Sequence, residues 1–282
     1  MKEDKNEVFS QWSESAPYWE KHREIIRGMF APVAQTLIEE ARITAGQFVL
    51  DVATGPGEPA LSIAGLVGSE GKVLGVDQVP EMVEAARREA NRRAIHNASF
   101  ERAFADKLPF PANTFDAVVS RFGVMLFQSP IDSVREMLRV LKPGGRISMA
   151  VWHFPERNPF HYSLSQVVER YVDSPPPAPD SPDAFRFAAP GKLLAILSDA
   201  GAAAPSERLL QFAIRAPISV EDFWAIRSEM SDKLRAKLAM LSKEQLAQLK
   251  REVLEALAAY YADGVMSFPG EVLIVSGGKE PA

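Results

Sequence analysis

The sequence predicts a doubly wound α/β fold, in which a parallel sheet carries helices on both of its faces. Three observations support this prediction. Between residues 46 and 152, short apolar segments alternate with segments of helical periodicity, as in repeated strand–helix units. These segments carry apolar residues, many of them valine, at consecutive positions, which is typical of strands buried on both faces. The first of them runs into a glycine turn and a helix start, the connection used by such folds.

The first predicted strand, residues 48–52, contains an acid near its end and is followed by a glycine turn. Asp51 lies in the strand, and the turn is Gly-Pro-Gly at 55–57. Glycine suits this turn because positive φ carries no steric cost without a Cβ, and because a ligand can approach the bare backbone. Pro59 suits the first position of the next helix, whose free N–H groups favour a nucleotide-like or carboxylate ligand. The turn alone also fits the dinucleotide-binding fingerprint, so other residues must distinguish the cofactor.

The core continues with the same alternation. The second strand, residues 73–77, ends in Asp77 about 20 residues after the turn, where an acid commonly binds ribose hydroxyls. The Lys-Pro-Gly-Gly segment at 142–145 is a strong signal for the end of a helix and a turn. We expect further strands at 99–102, 115–120 and 146–152, and helices over 82–90 and 131–141.

The segments outside the core predict a cover and a lid. Capping-box patterns at Ser219 and Ser242 predict two helices within 219–262, and the proline run at 174–182 predicts a stiff surface connection. The last strand is expected to begin directly after Phe268-Pro269-Gly270. We therefore divide the chain into four regions: an N-terminal helical cover (1–45), a core (46–152), a proline-rich insertion (153–207) and a last region (208–282). The proline-rich insertion includes a predicted helix at 192–200. The last region has predicted strands at 208–214 and 271–276, with the helical insertion 219–262 between them.

The composition narrows the functional classes. The 282 residues include no cysteine and carry a formal net charge of −5, so disulfides, thiolate metal sites and a cysteine nucleophile are excluded and no metal site is expected. The acidic balance does not favour nucleic acid or an anionic membrane as a partner. The charged N-terminus lacks a signal-peptide core, and no apolar stretch reaches the length of a membrane span. We expect a cytoplasmic protein that acts on a small molecule, with its oligomeric state left open.

Five motifs in one order resemble the class I S-adenosylmethionine (SAM)-dependent methyltransferases. Within that class the chain is similar to the ubiquinone/menaquinone biosynthesis C-methyltransferases and related small-molecule methyltransferases. The resemblance is close over about 8–152 and looser in the last strands. The motifs are Val49-Leu-Asp-Val-Ala-Thr-Gly-Pro-Gly57, Val76-Asp77, Ala105-Asp-Lys-Leu-Pro-Phe-Pro111, Phe115-Asp-Ala-Val-Val-Ser-Arg-Phe-Gly123 and Arg135-Glu-Met-Leu-Arg-Val-Leu-Lys-Pro-Gly-Gly145.

The resemblance implies a Rossmann-like sheet of seven strands whose antiparallel last strand lies beside strand 5, with SAM as cofactor and S-adenosylhomocysteine (SAH) as product. Asp77 would bind the ribose, Asp106 the adenine amine, and Trp19 of an N-terminal Ala-x-x-Trp-Glu signature would cover the cofactor. Arg121 would lie near the methyl group. The full set of implied cofactor-binding residues is Trp19, Asp51, Ala53, Gly55, Gly57, Asp77, Gln78, Met82, Ala105, Asp106, Lys107 and Arg121.

The acceptor side is less defined by the sequence. Phe122 and Trp152 are candidates for the wall of a substrate pocket. His153 follows strand 5 at the carboxyl edge of the sheet, where such folds bind ligands, so it is a candidate general base; a structural role is the alternative. No other catalytic residue is assigned.

These observations predict in-line transfer of a methyl group to O, C or N of a small, fairly apolar molecule. An NAD-dependent oxidoreductase, which shares the glycine turn and ribose acid, and a SAM-binding protein without transfer are the alternatives. Methylation of nucleic acid is disfavoured because strand 4 ends in Ser-Arg-Phe-Gly at 120–123 and not in the Asn/Asp-Pro-Pro-aromatic motif of DNA amino-methyltransferases. Arsenic methylation, which depends on cysteines in related enzymes, is ruled out by their absence.

Overall fold

The computed structural model describes residues 2–173, 178, 180–261 and 264–282, with side chains from residue 12 onward. Residues 174–177 and 179 of the predicted stiff proline segment lie outside this described part. No helix in the described part is both long and apolar enough to cross a membrane.

One mixed sheet of seven strands organises the fold. The order is β3-β2-β1-β4-β5-β7-β6, with parallel pairing from β3 through β5 and antiparallel pairing of β7 with both β5 and β6. The expected seven-stranded sheet with an antiparallel last strand beside strand 5 is thus confirmed. The strands are β1 (Phe48–Val52), β2 (Lys72–Asp77), β3 (Ala98–Arg102), β4 (Phe115–Arg121), β5 (Leu141–Trp152), β6 (Ala203–Ala216) and β7 (Met266–Gly278).

Helices cover both faces of this sheet. In the N-terminal cover, α1 packs against α5 of the core. Short 3₁₀ turns occupy 124–126, 155–157 and 258–260. The helices are α1 (Lys2–Lys21), α2 (Arg23–Met29), α3 (Ala31–Glu40), α4 (Ala60–Val67), α5 (Pro80–Arg92), α6 (Pro130–Val140), α7 (Pro159–Glu169), α8 (Lys192–Asp199), α9 (Val220–Met230), α10 (Asp232–Ala239) and α11 (Lys243–Leu257).

The continuous apolar character of the strands follows from burial on both faces. In β1, Val49 packs in a cluster with residues of α4 and α5, whereas Leu50 belongs to a separate cluster with residues of α2 and α3. In β4, Val119 joins the first cluster and Val118 the second. Successive strand side chains point to opposite faces, so a sheet covered on both sides needs apolar residues at consecutive positions.

Three strands, β5, β6 and β7, are longer than the sequence predicts by several residues. Strand β5 starts at Leu141 and not at 146, because residues 142–145 form a bulge within a continuous strand. On one side of the bulge Leu141 pairs with Phe115 of β4, and on the other side Arg146 pairs with Ala117. An ion pair between Lys142 Nζ and Asp116 Oδ1 (2.7 Å) holds this bulge to β4. A Pro-Gly-Gly sequence therefore marks an interrupted ladder here.

The other two strands, β6 and β7, are longer than expected. The predicted start of the last strand at 271 is wrong, because residues 268–270 lie inside β7, where Pro269 is opposite Ala213 of β6. Proline is tolerated there because β5 pairs with β7 only from Val272 onward, so this part of β7 has a neighbour on one side only.

Within its described residues, 219–261, the helical insertion contains three helices and not two. Both predicted capping boxes are present, with Ser219 accepting from the Asp222 N–H and Ser242 from the Gln245 N–H. A third N-cap, Ser231, accepts from the Leu234 N–H and begins α10. This cap lacks the acid or amide three residues later that completes a capping box, so it gave a weaker sequence signal.

Candidate functional site

A cavity of about 610 Å³ opens at the carboxyl ends of β1, β2, β4 and β5. Its roof comes from α1, α2, α7 and α9, which contribute Trp19, Met29, Phe160 and Arg227. The volume lies within the range of small-molecule sites, which is roughly 300–1,000 Å³. The position is the one at which doubly wound sheets bind ligands.

Asp51 lies directly beneath the glycine turn and is fully buried. Its Oδ2 accepts hydrogen bonds from Thr54 Oγ1 (2.7 Å) and from the Ala60 backbone N–H (3.1 Å), whereas its Oδ1 has no partner among the described residues. Burial raises the pKa of Asp51 to about 7, although the Thr54 hydrogen bond and the charge of Arg121 act in the opposite direction. Asp51 therefore ties the turn to the start of α4 and does not itself line the cavity.

Asp77 joins the ends of β1 and β2 and faces the cavity. Its Oδ2 accepts from the Gly55 N–H (3.0 Å) and its Oδ1 accepts from the Val79 N–H (3.0 Å). Burial raises the pKa of this carboxyl, and the backbone donors partly offset that effect. Each carboxylate oxygen has two lone pairs, so both oxygens can still accept a hydrogen bond from a ligand diol.

The ends of β1 and β4 are held in constrained backbone conformations. Ala53 has φ +60° and Phe122 has φ +62°, the left-handed region that residues other than glycine seldom occupy. A Cβ on Gly123 would lie 2.6 Å from the Ala53 Cβ, so the two strand ends approach closely. Gly57 has φ +106°, and a Cβ there would lie 2.9 Å from Leu61 Cδ1. Strain of this kind often accompanies ligand sites, and it presents Ala53 and Phe122 to the cavity.

Arg121 supplies a cation beside the glycine turn. Its Nη2 donates to the Glu58 carbonyl oxygen (3.1 Å), and the guanidinium lines the cavity. Burial lowers the pKa of Arg121, while the charges of Glu58 and Asp51 raise it. A ligand carboxylate next to this turn would therefore find a cation and a helix N-terminus together.

An aromatic wall closes the other part of the cavity. The rings of Phe122 and Trp152 are stacked, with centroids 4.5 Å apart and planes inclined by 4°. Phe30 of the α2–α3 junction meets both rings edge-on, at 5.5 and 5.7 Å. All three rings line the cavity, so this end is apolar and suited to a flat or hydrophobic molecule.

Most of the predicted site residues meet at this cavity. Asp51, Gly57 and Lys107 do not line it, although the first two shape the glycine turn. The residues predicted from the sequence that line it are Trp19, Ala53, Gly55, Asp77, Gln78, Met82, Ala105, Asp106, Arg121, Phe122 and Trp152.

His153, the candidate general base, is not brought to the cavity. Its Nδ1 lies 2.9 Å from Glu271 Oε2 of the neighbouring strand β7, and its backbone N–H donates to the Glu271 carbonyl oxygen. The structure therefore supports the structural alternative for His153. A different histidine, His161 of α7, lines the cavity together with Arg227 of α9; neither belongs to a motif that sequence reasoning identified.

The sheet order, the antiparallel β7 and the two acids around the glycine turn are the features expected of the class I SAM-dependent methyltransferase fold. Comparison with known families agrees, since residues 49–145 match the family described as "Methyltransferase domain" and this segment belongs to it. The class expected from the sequence is thus confirmed for this domain, with SAM as the cofactor of the class.

The curated relatives share part of their length with this chain. The ubiquinone/menaquinone biosynthesis C-methyltransferase UbiE of Marinomonas sp. is 37% identical over 135 residues, which are 48% of this chain and 52% of that protein. The chain spans about half the length of the curated relatives it matches.

Solved structures extend the likeness to the whole fold. The YcgJ protein from Bacillus subtilis has 22% identity and a TM-score of 0.57, covering 88% of this chain and 98% of that one. Haemonchus contortus phosphoethanolamine N-methyltransferase 2, solved in complex with SAM, has 18% identity and a TM-score of 0.55, covering 93% of this chain and 57% of that one. At these identities the likeness concerns the fold alone.

The donors and acceptors of the cavity fit SAM. The Asp77 carboxylate matches a ribose diol, which offers two hydroxyl donors. Arg121 matches the carboxylate of the methionine part, and the Asp77 and Asp106 carboxylates are compatible with a cationic sulfonium ligand. The cavity also continues past the glycine turn to the aromatic wall, so it has room for a second molecule beside the cofactor.

Proposed function

We propose that this protein transfers the methyl group of SAM to O, C or N of a small, largely apolar acceptor. The observation that carries the proposal is the Asp77 carboxylate, which is bonded to the glycine turn at the entrance of a cavity that ends in an aromatic wall. The chemistry that SAM supplies when bound is an electrophilic sulfonium methyl group: the acceptor atom would bond to the methyl carbon in line with the S–CH3 bond, which breaks as SAH leaves.

In this proposal the polar part of the cavity binds the cofactor. Asp77 accepts from the ribose hydroxyls, Arg121 binds the methionine carboxylate, and Asp106 accepts from the adenine amine. Trp19 of α1 covers the bound cofactor from the side of the N-terminal helices. Asp51 acts from below by fixing the turn through its hydrogen bonds to Thr54 and Ala60. The residues proposed to flank the adenine or to form the glycine turn beside the cofactor are Ala53, Gly55, Gly57, Gln78, Met82, Ala105 and Lys107.

The aromatic part of the cavity orients the acceptor and keeps water away from the methyl group. Phe122 and Trp152 form a stacked surface on which a planar acceptor can lie. Alignment of the acceptor atom with methyl and sulfur is the main requirement of this reaction, because holding reactants in line removes much of the entropic barrier. A dry site also strengthens the electrostatic interactions within it.

Calorimetric titration of the protein with SAM, SAH and NAD in parallel tests this proposal. We expect micromolar binding of SAM and SAH and none of NAD. Binding of NAD alone would mean that the glycine turn serves an oxidoreductase. If SAM and SAH bind, incubation with isotope-labelled SAM and a panel of phenols, quinones and amines distinguishes transfer from cofactor binding without transfer, since only transfer moves the label into an acceptor.

A further inference from the structure

A cation lies in the acceptor part of the cavity without an acidic partner. The half-buried side chain of Arg227 lines the cavity, and its Nε is buried without a hydrogen-bond partner. Its Cζ lies 5.1 Å from the Phe160 ring centroid, so a cation–π contact stabilises part of the charge. Burial alone lowers the pKa of Arg227, to about 10, and among the described residues no carboxylate pairs with it.

The one polar side chain that Arg227 contacts in the described part of the chain is His161. Arg227 Nη2 lies 3.2 Å from His161 Nδ1. Because a guanidinium can only donate, Nδ1 is the acceptor and the ring proton lies on Nε2. That Nε2 is buried and has no described partner. Burial and the charge of Arg227 hold the pKa of His161 well below its usual value, so the ring is neutral and its Nε2–H is a second donor without a described partner.

These donors lie among the rings of the acceptor part. The His161 ring meets Trp152 edge-on at 4.6 Å, and Trp152 stacks on Phe122. Arg121, which we assign to the methionine carboxylate, has different neighbours, namely Glu58 and Asp51. Arg121 and Arg227 are thus separate cations of the cavity, one beside the glycine turn and one beside the aromatic wall. A third arginine of the cavity lining, Arg102, donates to the Gln78 carbonyl oxygen.

We infer that Arg227 and His161 form an oxyanion site, and that the methyl acceptor is an aromatic or similarly flat molecule carrying a carboxylate or an ionised phenol. This inference rests on the proposed function and specifies its substrate class. A buried cation without an acidic partner is costly and is normally paired. An acceptor oxyanion would supply the missing partner of the guanidinium, which His161 positions through Nη2, and this contact would fix the orientation of the acceptor ring against Phe122 and Trp152.

Matched probes of equal shape and different charge test the inference. We would titrate the protein, saturated with SAH, with 2-naphthoate and with the neutral 2-naphthamide, and follow binding by calorimetry. The same comparison of 4-nitrophenolate with 4-nitroanisole distinguishes an ionised phenol from a carboxylate. We expect at least one anion of these pairs to bind about tenfold or more tightly than its neutral counterpart, as a charge-assisted hydrogen bond predicts.

Variants test whether Arg227 and His161 cause the preference for the anionic probe. Arg227→Gln should abolish the preference for the anion, Arg227→Lys should retain part of it, and His161→Phe should weaken it. SAH affinity should stay unchanged in all three variants. Arg186→Gln is a matched control, because Arg186 is also half-buried beside a phenylalanine ring, with an unpartnered Nε, but does not line the cavity.

Neutral probes that bind as tightly as both anions, or a preference that survives in Arg227→Gln, would overturn the inference. Failure of the unmodified protein to bind SAH is a separate result that contradicts the proposed function. In that case the probe titrations without SAH still decide whether an oxyanion site exists, because the pair belongs to α7 and α9 and is formed in the protein alone.

Discussion

Replacing Asp77 by alanine tests the cofactor site most directly. Each oxygen of this carboxylate already accepts one backbone N–H, from Gly55 and from Val79, and each can accept one ribose hydroxyl. A hydrogen bond to a charged group contributes about 1.5–3 kcal/mol. Loss of two such bonds should therefore weaken binding by about 3–6 kcal/mol, roughly 10²- to 10⁴-fold in Kd.

The assay is calorimetric titration with SAH, accompanied by thermal unfolding to show that the variant is folded. Asp77→Ala also removes the acceptors of two N–H groups, so a loss of stability of about 1–3 kcal/mol is expected. Asp116→Ala is the matched control, because Asp116 accepts from the Phe48 N–H (2.8 Å) and pairs with Lys142, but lies at the start of β4, away from the cavity. It should lose stability and keep its affinity for SAH.

The reasoning is refuted if folded Asp77→Ala binds SAH nearly as tightly as the unmodified protein. An equal loss of affinity in Asp116→Ala would also refute it, because the effect would then follow from stability. Asp77→Asn adds a graded comparison: an amide oxygen can replace one acceptor but lacks the charge, so an intermediate loss is expected.

The remaining predictions concern the glycine turn. Burial raises the pKa of Asp51 from 3.8 to about 7 in the folded protein. Between these two pH values the folded state binds more protons than the unfolded state. The free energy of unfolding therefore falls as pH rises through this window, by about 4 kcal/mol at most. Urea unfolding curves of the ligand-free protein and of Asp51→Asn from pH 4 to pH 8 should differ by this decline, whereas the decline due to Asp77, whose pKa burial also raises, remains in both; parallel curves for the two proteins would contradict the assignment. Gly57→Ala should cost about 1–3 kcal/mol in the same assay because its φ is +106° and its Cβ would press on Leu61. Gly55→Ala, with φ +55° and open space around a Cβ, should cost less, and an equal cost at both positions would argue against the close contact at Gly57.

Features that depend on nearby residues could be predicted from the sequence. The strand that carries Asp51, the glycine turn and the strand that ends in Asp77 follow one another within about 30 residues. Each has a local signal, namely a buried apolar run, a residue type that allows positive φ, and an acid at a fixed distance. The capping boxes of α9 and α11 are equally local.

The sequence predicts less accurately those features that depend on residues distant in the chain. The length of β7 is set by its pairing with β6 from 203 to 216, which extends through Pro269 although proline usually ends a strand. The continuation of β5 through 142–145 likewise depends on contacts with Asp116 and Lys279, since Gly144 N–H donates to the Lys279 carbonyl oxygen. Neither partner can be read from the local sequence.

The residues of the proposed acceptor site could be predicted only in part from the sequence. Trp152 and His153 were both named as site residues, yet consecutive residues of an extended chain point to opposite sides. Trp152 faces the cavity, whereas His153 faces away from it and pairs with Glu271 of β7, 118 residues further along the chain. Strand periodicity alone does not decide this at the carboxyl edge of the sheet, because the consecutive residues Arg121 and Phe122 both line the cavity. The position of His161 could not be predicted either, because it depends on a contact with Arg227, 66 residues further along the chain. Helices α7 and α9, which are distant in the sequence, bring these two side chains together. The proposed acceptor site, built from these helices, therefore leaves no spacing pattern in the sequence, whereas the proposed cofactor site, built from consecutive strand ends, does.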